Sequence, residues 1–416
     1  MLVLEAWACE ASGSDANAQR QAAQALDRWI SQGLPFERNA DGERVFDPAE
    51  ALNFGIRESV HRGDPFWLEH YVPQRRRLVC EFHPGAAAGE LPTAALGTER
   101  FNVTLRRDFN LAGHEPGTRV RLRLPVPLED ETLRDLTVVG IAPDDQQVDF
   151  ARRPGRLDAQ LTVPPSQTVS LAVQASFVAL GSPVDRGPAA LAPSDRELYT
   201  RSSEGLVQVS PRIRALAVQI ADAQEEPWHA VGRFWDFLQL RVMLGMVRYE
   251  DLDRPYPTDW ALETGWANCH LASALLVALC RARKIPARVV AGYPLYPPTP
   301  CLHYWVEIWM EAQGWLPFDT LSLDLSGRDH EAFWRNYFFG RLDYRMKTQC
   351  LPRLFDAQPD LRFPAAWHHL GRCITGGAEA SYIACESGQL IYREQVTVQR
   401  VPQSAISAQG HSGLAQ

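Results

Sequence analysis

The stretch that leaves this chain least freedom opens at Thr264-Gly265-Trp266-Ala267-Asn268-Cys269. Behind the cysteine, Leu271, Ala272, Leu275, Leu276 and Leu279 recur on one face at helical spacing. Pro286 forbids continuation, so the spacing predicts a buried helix that ends near Arg283-Lys284. Ala287-Arg288-Val289-Val290-Ala291-Gly292-Tyr293 then reads as a strand. After a proline-rich loop, His303-Tyr304-Trp305-Val306-Glu307-Ile308-Trp309 reads as another. Its period of two places His303, Trp305, Glu307 and Trp309 on one face and Tyr304, Val306 and Ile308 on the other. Gly314 marks a turn, and Trp315-Leu316-Pro317-Phe318-Asp319 runs back beside that strand.

This order brings chemistry together. Cys269 stands at or near the first turn of the helix, where unpaired backbone N–H groups and the positive end of the dipole favour a thiolate. Its own N–H is free to donate to a developing oxyanion. Cys280, mid-helix among Leu and Ala, reads as core. Antiparallel neighbours joined at Gly314 bring Asp319 near His303 at the strand ends opposite the turn. The relation needed is thiol to imidazole to carboxylate: the ring takes the thiol proton, and the carboxylate holds the tautomer and steadies the imidazolium.

Plainer roles compete for the same residues. Cys269 as an inert core thiol, His303 as a satisfied strand histidine and Asp319 as a turn carboxylate are the bland alternatives. Cys269, His270, Cys301 and His303 form a conceivable Cys₂His₂ zinc set, but adjacent ligands at 269 and 270 suit one tetrahedral ion poorly, so no metal or other cofactor is expected. Trp305, Trp309 and Trp315 read as core and groove lining, and His368-His369 with Cys373 as surface residues.

The rest of the chain divides by texture into an α+β arrangement. Residues 1–95 look mainly helical: Ala16 to Trp29 carries apolar residues at helical spacing, and Asp47-Pro48 reads as a cap with proline behind it. Gly85 to Pro92 suits a linker. Residues 96–182 alternate, with Val120, Leu122 and Leu124, then Leu136 and Val138, then Leu161 and Val163, then Val169, Leu171, Val173 and Ala175. They predict a small antiparallel β-sandwich. Residues 183–230 form a joint and a helix capped at Ser210-Pro211, residues 231–350 the catalytic core, and residues 351–416 an extension packing on that core.

Several fragments in this order resemble the transglutaminase-like superfamily. They are Gly265-x-x-x-Cys269-x-x-Ala272, Leu279-x-Arg281-Ala282-x-x-Ile285-Pro286-Ala287-Arg288, Gly292-Tyr293, His303-x-Trp305-Val306-Glu307 and Gly314-Trp315-x-x-x-Asp319. Phe338-Phe339-Gly340-Arg341-Leu342-Asp343 looks like the segment that closes the core in bacterial members. The resemblance implies a papain/transglutaminase-like core with a Cys269, His303, Asp319 triad, and Asn268, Trp266, Tyr304 and Trp305 as oxyanion or substrate-lining residues. The chain departs from the family pattern at Lys284, where glycine is usual, at Thr320, where proline is common, and at Asn268.

The resemblance implies acyl transfer through a thioester on Cys269. The family spans crosslinkers, amidases, peptidases and enzymes that join carrier-tethered acyl groups to amines. An aromatic surround of Tyr293, Tyr296, Tyr304, Trp305 and Trp309 would keep water from the thioester, so the leading expectation is an amide-forming acyltransferase. Its partners would be an acyl donor, delivered by an acyl or peptidyl carrier protein in one version, and an amine acceptor. A cysteine hydrolase is the alternative, and a binding protein on the same fold the second. The formal charge of −8, spread along the chain, argues against nucleic acid. The short Arg75-Arg76-Arg77 run suits a strand edge. No membrane span is expected, and Met1 to Trp7 lacks a basic leader, so the expected location is cytoplasmic.

Overall fold

The computed structural model describes residues 16–38, 41–46, 53–54, 57, 98–180, 190–245, 247, 249–295, 302–320, 335, 338–342, 344–350, 367–373, 379–386 and 389–401. Of the expected N-terminal helices, the first is seen as α1, Ala16–Ser31. The cap at Asp47-Pro48 and the linker at 85–92 lie outside the described residues.

Alternation from residue 98 onward builds two sheets. β1 (Thr98–Asn110), β3 (Leu133–Ile141) and β6 (Thr168–Leu180) belong to one, and β2 (Arg119–Pro125), β4 (Val148–Arg153) and β5 (Arg156–Thr162) to the other. Every second residue of β6 is buried, as the period of two requires. Phe101, Val103 and Leu105 of β1, Val173 and Phe177 of β6, and Leu157 and Leu161 of β5 meet in one core between the sheets.

The described strands of the C-terminal segment join the sandwich, and one of them also touches Tyr293 through Glu394. β11 (Trp367–Cys373), β12 (Glu379–Glu386) and β13 (Gln389–Val401) extend the larger sheet, whose order is β11-β12-β13-β1-β6-β3. β13 runs antiparallel to β1 from Tyr392↔Phe109 to Val401↔Arg100. The long β1 would otherwise leave an open row of backbone donors and acceptors, and Val396 and Val398 of β13 enter the sandwich core. The chain thus leaves the sandwich, builds a second unit, and returns to finish the sandwich.

The second unit is a helical layer on an antiparallel sheet. Its helices are α2 (Pro193–Thr200), α3 (Pro211–Ile220), α4 (Pro227–Arg241), α5 (Pro257–Thr264) and α6 (Cys269–Ala282). Its strands are β7 (Ala287–Pro294), β8 (His303–Met310), β9 (Gly314–Phe318) and β10 (Arg345–Cys350), in the order β9-β8-β7-β10. Ser210 caps α3 as the sequence suggests, its Oγ accepting from the Ile213 N–H at 3.0 Å and donating to Asp259 at 2.7 Å. Leu206, Val209, Ile213 and Ala217 share the core built around α6. The unit therefore begins before residue 231, because α6 is buried along its length and α3 and α4 help to cover it.

Two polar clusters fasten the sandwich to the four-stranded sheet of the second unit. Tyr293 of β7 donates to Glu394 of β13 at 2.7 Å, and Glu394 also receives Arg107 of β1 at 2.6 Å. On β10, the Lys347 carbonyl accepts from the Leu128 N–H at 2.7 Å, and its ammonium pairs with Asp130. Gly155 lies so near the Thr348 carbonyl that a Cβ would stand 2.1 Å from its oxygen.

Candidate active site

The site is built where the N-terminus of α6 meets the start of β8. Asn268 ends the extended entry with φ −86° and ψ 179°, and its side-chain oxygen accepts from the Leu271 N–H at 2.9 Å. The departure at 268 thus has a local cause: asparagine is among the best N-caps. Cys269 is the first helical residue, half-buried, and no carbonyl of the helix reaches its N–H. At the other end Lys284 stands where the family favours glycine and adopts φ 59°, the left-handed turn that closes the helix. A side chain there costs roughly 1 kcal/mol, which the helix-ending bond from the Ile285 N–H to the Cys280 carbonyl, 3.0 Å long, accommodates.

The hairpin turn at Gly314, with φ 80°, pairs β8 with β9 from Met310↔Gly314 to Val306↔Phe318. That register carries Asp319 to the beginning of β8, as the sequence suggests. His303 Nε2 lies 2.8 Å from Asp319 Oδ2. The carboxylate is fully buried and the imidazole nearly so. With Nε2 donating to a carboxylate, the neutral ring presents Nδ1 as its acceptor, and Cys269 is among the neighbours that raise the ring's proton affinity. Burial lowers the proton affinity of His303, but the Asp319 charge and hydrogen bond, with the contact to Cys269, outweigh it and hold the ring at about 9. The Asp319 N–H donates to the Phe338 carbonyl at 3.1 Å, so the Phe338-Phe339-Gly340 segment closes over this end of the sheet.

The other expected lining residues divide. Trp266 is half-buried beside Cys269, in a short parallel pairing with Met243, and its ring covers Gly245, where a Cβ would meet it at 2.6 Å. Tyr304 turns the other way: its ring stacks flat on His270 of α6, 4.2 Å between centroids. Trp305 is 2% exposed and lies beneath the His303 ring, 6.4 Å away, as support and not as a cleft wall. Tyr293 belongs to the sandwich contact, and Trp309, at the far end of β8, meets Trp315. The expected aromatic wall is therefore not assembled from these residues, because strand alternation and distance along β8 point them elsewhere. Tyr296 and Cys301 lie outside the described residues.

Sequence reasoning missed the charged partners. Arg345 Nη1 donates to Asp319 Oδ2 at 2.7 Å. Further along the same face, Glu307 takes Arg288 at 2.6 Å and Lys347 at 2.8 Å, and Arg288 stacks on Trp315, 4.1 Å to the ring centre. The signal available was Arg345-x-Lys347, two cations at strand spacing just beyond the closing segment.

The two cysteines of α6 separate cleanly. Cys280 is wholly buried, and burial pushes its thiol well above the usual range. Iodoacetamide near neutral pH should therefore label Cys269 well ahead of Cys280. Peptide mapping by mass spectrometry reads the order, and equal or reversed labelling would remove Cys269 as the nucleophile.

The family model of the transglutaminase-like superfamily matches residues 214–320. A protein-glutamine gamma-glutamyltransferase of Pseudomonas aeruginosa is 33% identical over 121 residues, which cover 26% of this chain and 18% of that protein. Among solved structures, a candidate cysteine protease from Cytophaga hutchinsonii is 16% identical, with 74% of this chain and 92% of that chain covered and a TM-score of 0.48. The periplasmic domain of TgpA from Pseudomonas aeruginosa is 18% identical, with 59% and 93% covered and a TM-score of 0.30. No helix among the described residues is long and apolar enough to cross a membrane.

Proposed function

We propose that this chain, whose residues 214–320 form a transglutaminase-like domain, transfers an acyl group through a thioester on Cys269 to an amine. The observation that carries the proposal is the His303 ring, held by Asp319 through Nε2 at 2.8 Å, with Cys269 among the groups that raise its proton affinity. In the first half-reaction Nδ1 takes the thiol proton and the sulfur attacks the donor carbonyl. The oxyanion forms near the Cys269 N–H, and the imidazolium returns the proton to the departing amine or ammonia. In the second half-reaction an acceptor amine gives a proton to His303, attacks the thioester carbon, and leaves as the amide while the thiol is restored.

A carboxamide of the glutamine type is the donor to test first, since the Pseudomonas aeruginosa relative carries the name of a glutamyltransferase. That relative is matched over a small part of its length, so donor and acceptor are both part of the proposal. A carrier-tethered thioester is the second donor to test. Hydrolysis is the competing reading, favoured by the outward turn of Tyr293 and Trp309 from the neighbourhood of His303.

Only the second half-reaction separates the two. Water stands at about 55 M, whereas binding and orienting an amine supplies effective molarities on the order of 10⁵ M or more. The Cys269 acyl-enzyme, formed from a glutamine peptide or a thioester, should persist in buffer and be discharged to an amide by one amine at millimolar levels or lower. Intact-protein mass spectrometry follows the adduct. Rapid release of free acid, at a rate indifferent to every amine tried, would make this a hydrolase.

A further inference from the structure

Asp319 has a partner that the three-residue scheme does not require. Its Oδ2, the oxygen that receives His303 Nε2, also accepts from Arg345 Nη1 at 2.7 Å, and the Arg345 side chain is 4% exposed. The guanidinium lies over Trp305, 5.2 Å from the ring centre, so the same indole supports both His303 and Arg345. Arg345 reaches this place because β10 crowds β7. The register shifts between Ala291 and Gly292, and a Cβ on Gly292, the residue paired with His303, would stand 2.0 Å from the Met346 carbonyl oxygen.

Among the described residues, three elements bring charged or titratable groups to His303. Cys269 comes from α6, Asp319 from the end of β9 and Arg345 from β10, while His270 of α6 stacks on the adjacent Tyr304. Further along this face Glu307, Arg288, Lys347 and Asp130 form a separate ion-pair network, with Tyr199 and Cys350 against Arg288.

Thiol, neutral imidazole, carboxylate and guanidinium sum to zero, and so do thiolate, imidazolium, carboxylate and guanidinium. Proton transfer from Cys269 to His303 therefore leaves their total charge unchanged. After acylation the sulfur no longer carries charge. Without the guanidinium, His303 and Asp319 would then keep a proton between them, on ring or carboxyl, because releasing it leaves an unshared buried carboxylate. The second half-reaction needs a neutral ring that accepts a proton at Nδ1.

We propose that Arg345 is a positioning residue that shares the charge of Asp319, so that His303 gives up its proton after acylation and serves as base for the second half-reaction. The proposal rests on the Cys269, His303, Asp319 reading, and it assigns opposite signs to two roles. If Arg345 shares charge, its neutral replacement makes His303 more basic. If it only clamps Asp319 in place, the replacement loosens the contact with His303 and makes the ring less basic or leaves it unchanged.

The test alkylates Cys269 of the full chain with iodoacetamide, which blocks the sulfur as an acyl group does, and follows the His303 ring by NMR with labelled histidine. Arg345→Gln should raise the titration midpoint by about 1–2 pH units. Arg345→Met, which keeps an apolar stem on Trp305, should do the same, and Arg345→Lys should restore the wild-type midpoint. An unchanged or lowered midpoint in the neutral variants overturns the proposal while leaving the triad standing. So does loss of folding in both neutral variants, which assigns Arg345 an architectural role. Refusal of Cys269 to take the label sinks the triad reading and this proposal with it.

Discussion

Cys269→Ala should lower turnover by a factor on the order of 10⁴ to 10⁶, the loss found when a nucleophile acting as a unit with its base is removed. The fold should persist. Cys269 is half-buried at the first helical position, alanine has the highest helix propensity, and the cap made by Asn268 on the Leu271 N–H does not involve the sulfur. Melting temperature and circular dichroism should match wild type, and no acyl adduct should form. Activity within tenfold of wild type, with a folded protein, would remove the thioester mechanism and leave His303 and Asp319 as a structural pair. Asn268→Ala provides the contrasting case: loss of the cap costs about 1 kcal/mol of stability while the sulfur remains.

Glu307→Gln should have the largest effect on stability. The carboxylate is 4% exposed and holds Arg288 through two contacts, at 2.9 and 2.6 Å, and Lys347 at 2.8 Å. Removing one member of a buried ionic cluster leaves the others uncompensated and costs about 3–5 kcal/mol. The pH dependence follows from the direction of the shift. Burial raises the proton affinity of Glu307, but Lys347 and Arg288 outweigh it and depress the carboxyl from its usual 4.5 to about 2. A depressed value in the folded state means that the contribution is fully present above about 4.5 and is lost as the pH falls towards about 2. The stability gap between wild type and Glu307→Gln, read by urea unfolding, should thus be widest near neutrality and narrow through that window. A gap below about 1 kcal/mol at neutral pH, or one that does not change with pH, would mean that the network does not hold the sheet together.

How much was legible in the sequence depends on the range of the cause. The helix behind Cys269, its termination before Pro286, the two strands and the turn at Gly314 follow from side-chain period and from the geometry of proline and glycine. Those are local properties. The approach of Asp319 to His303 was legible for the same reason, since a tight turn with a fixed register leaves one antiparallel pairing. Even the Asn268 departure has a local cause, a cap for the helix it precedes.

The rest was decided by packing. Strand alternation placed Trp305 and Tyr304 on opposite faces but could not say which face meets solvent, and in the structure both are covered, one by His303 and Arg345 and the other by His270. The return of residues 389–401 to complete the sandwich depends on the open edge of β1, far away along the chain. Arg345 reaches Asp319 only because Gly292 lets β10 close on β7. The sequence by itself determined a cysteine at a helix start with a histidine and a carboxylate on a hairpin. Tertiary structure decided which charge stands behind that carboxylate, because a buried ion selects its partners by proximity in space and not by spacing along the chain.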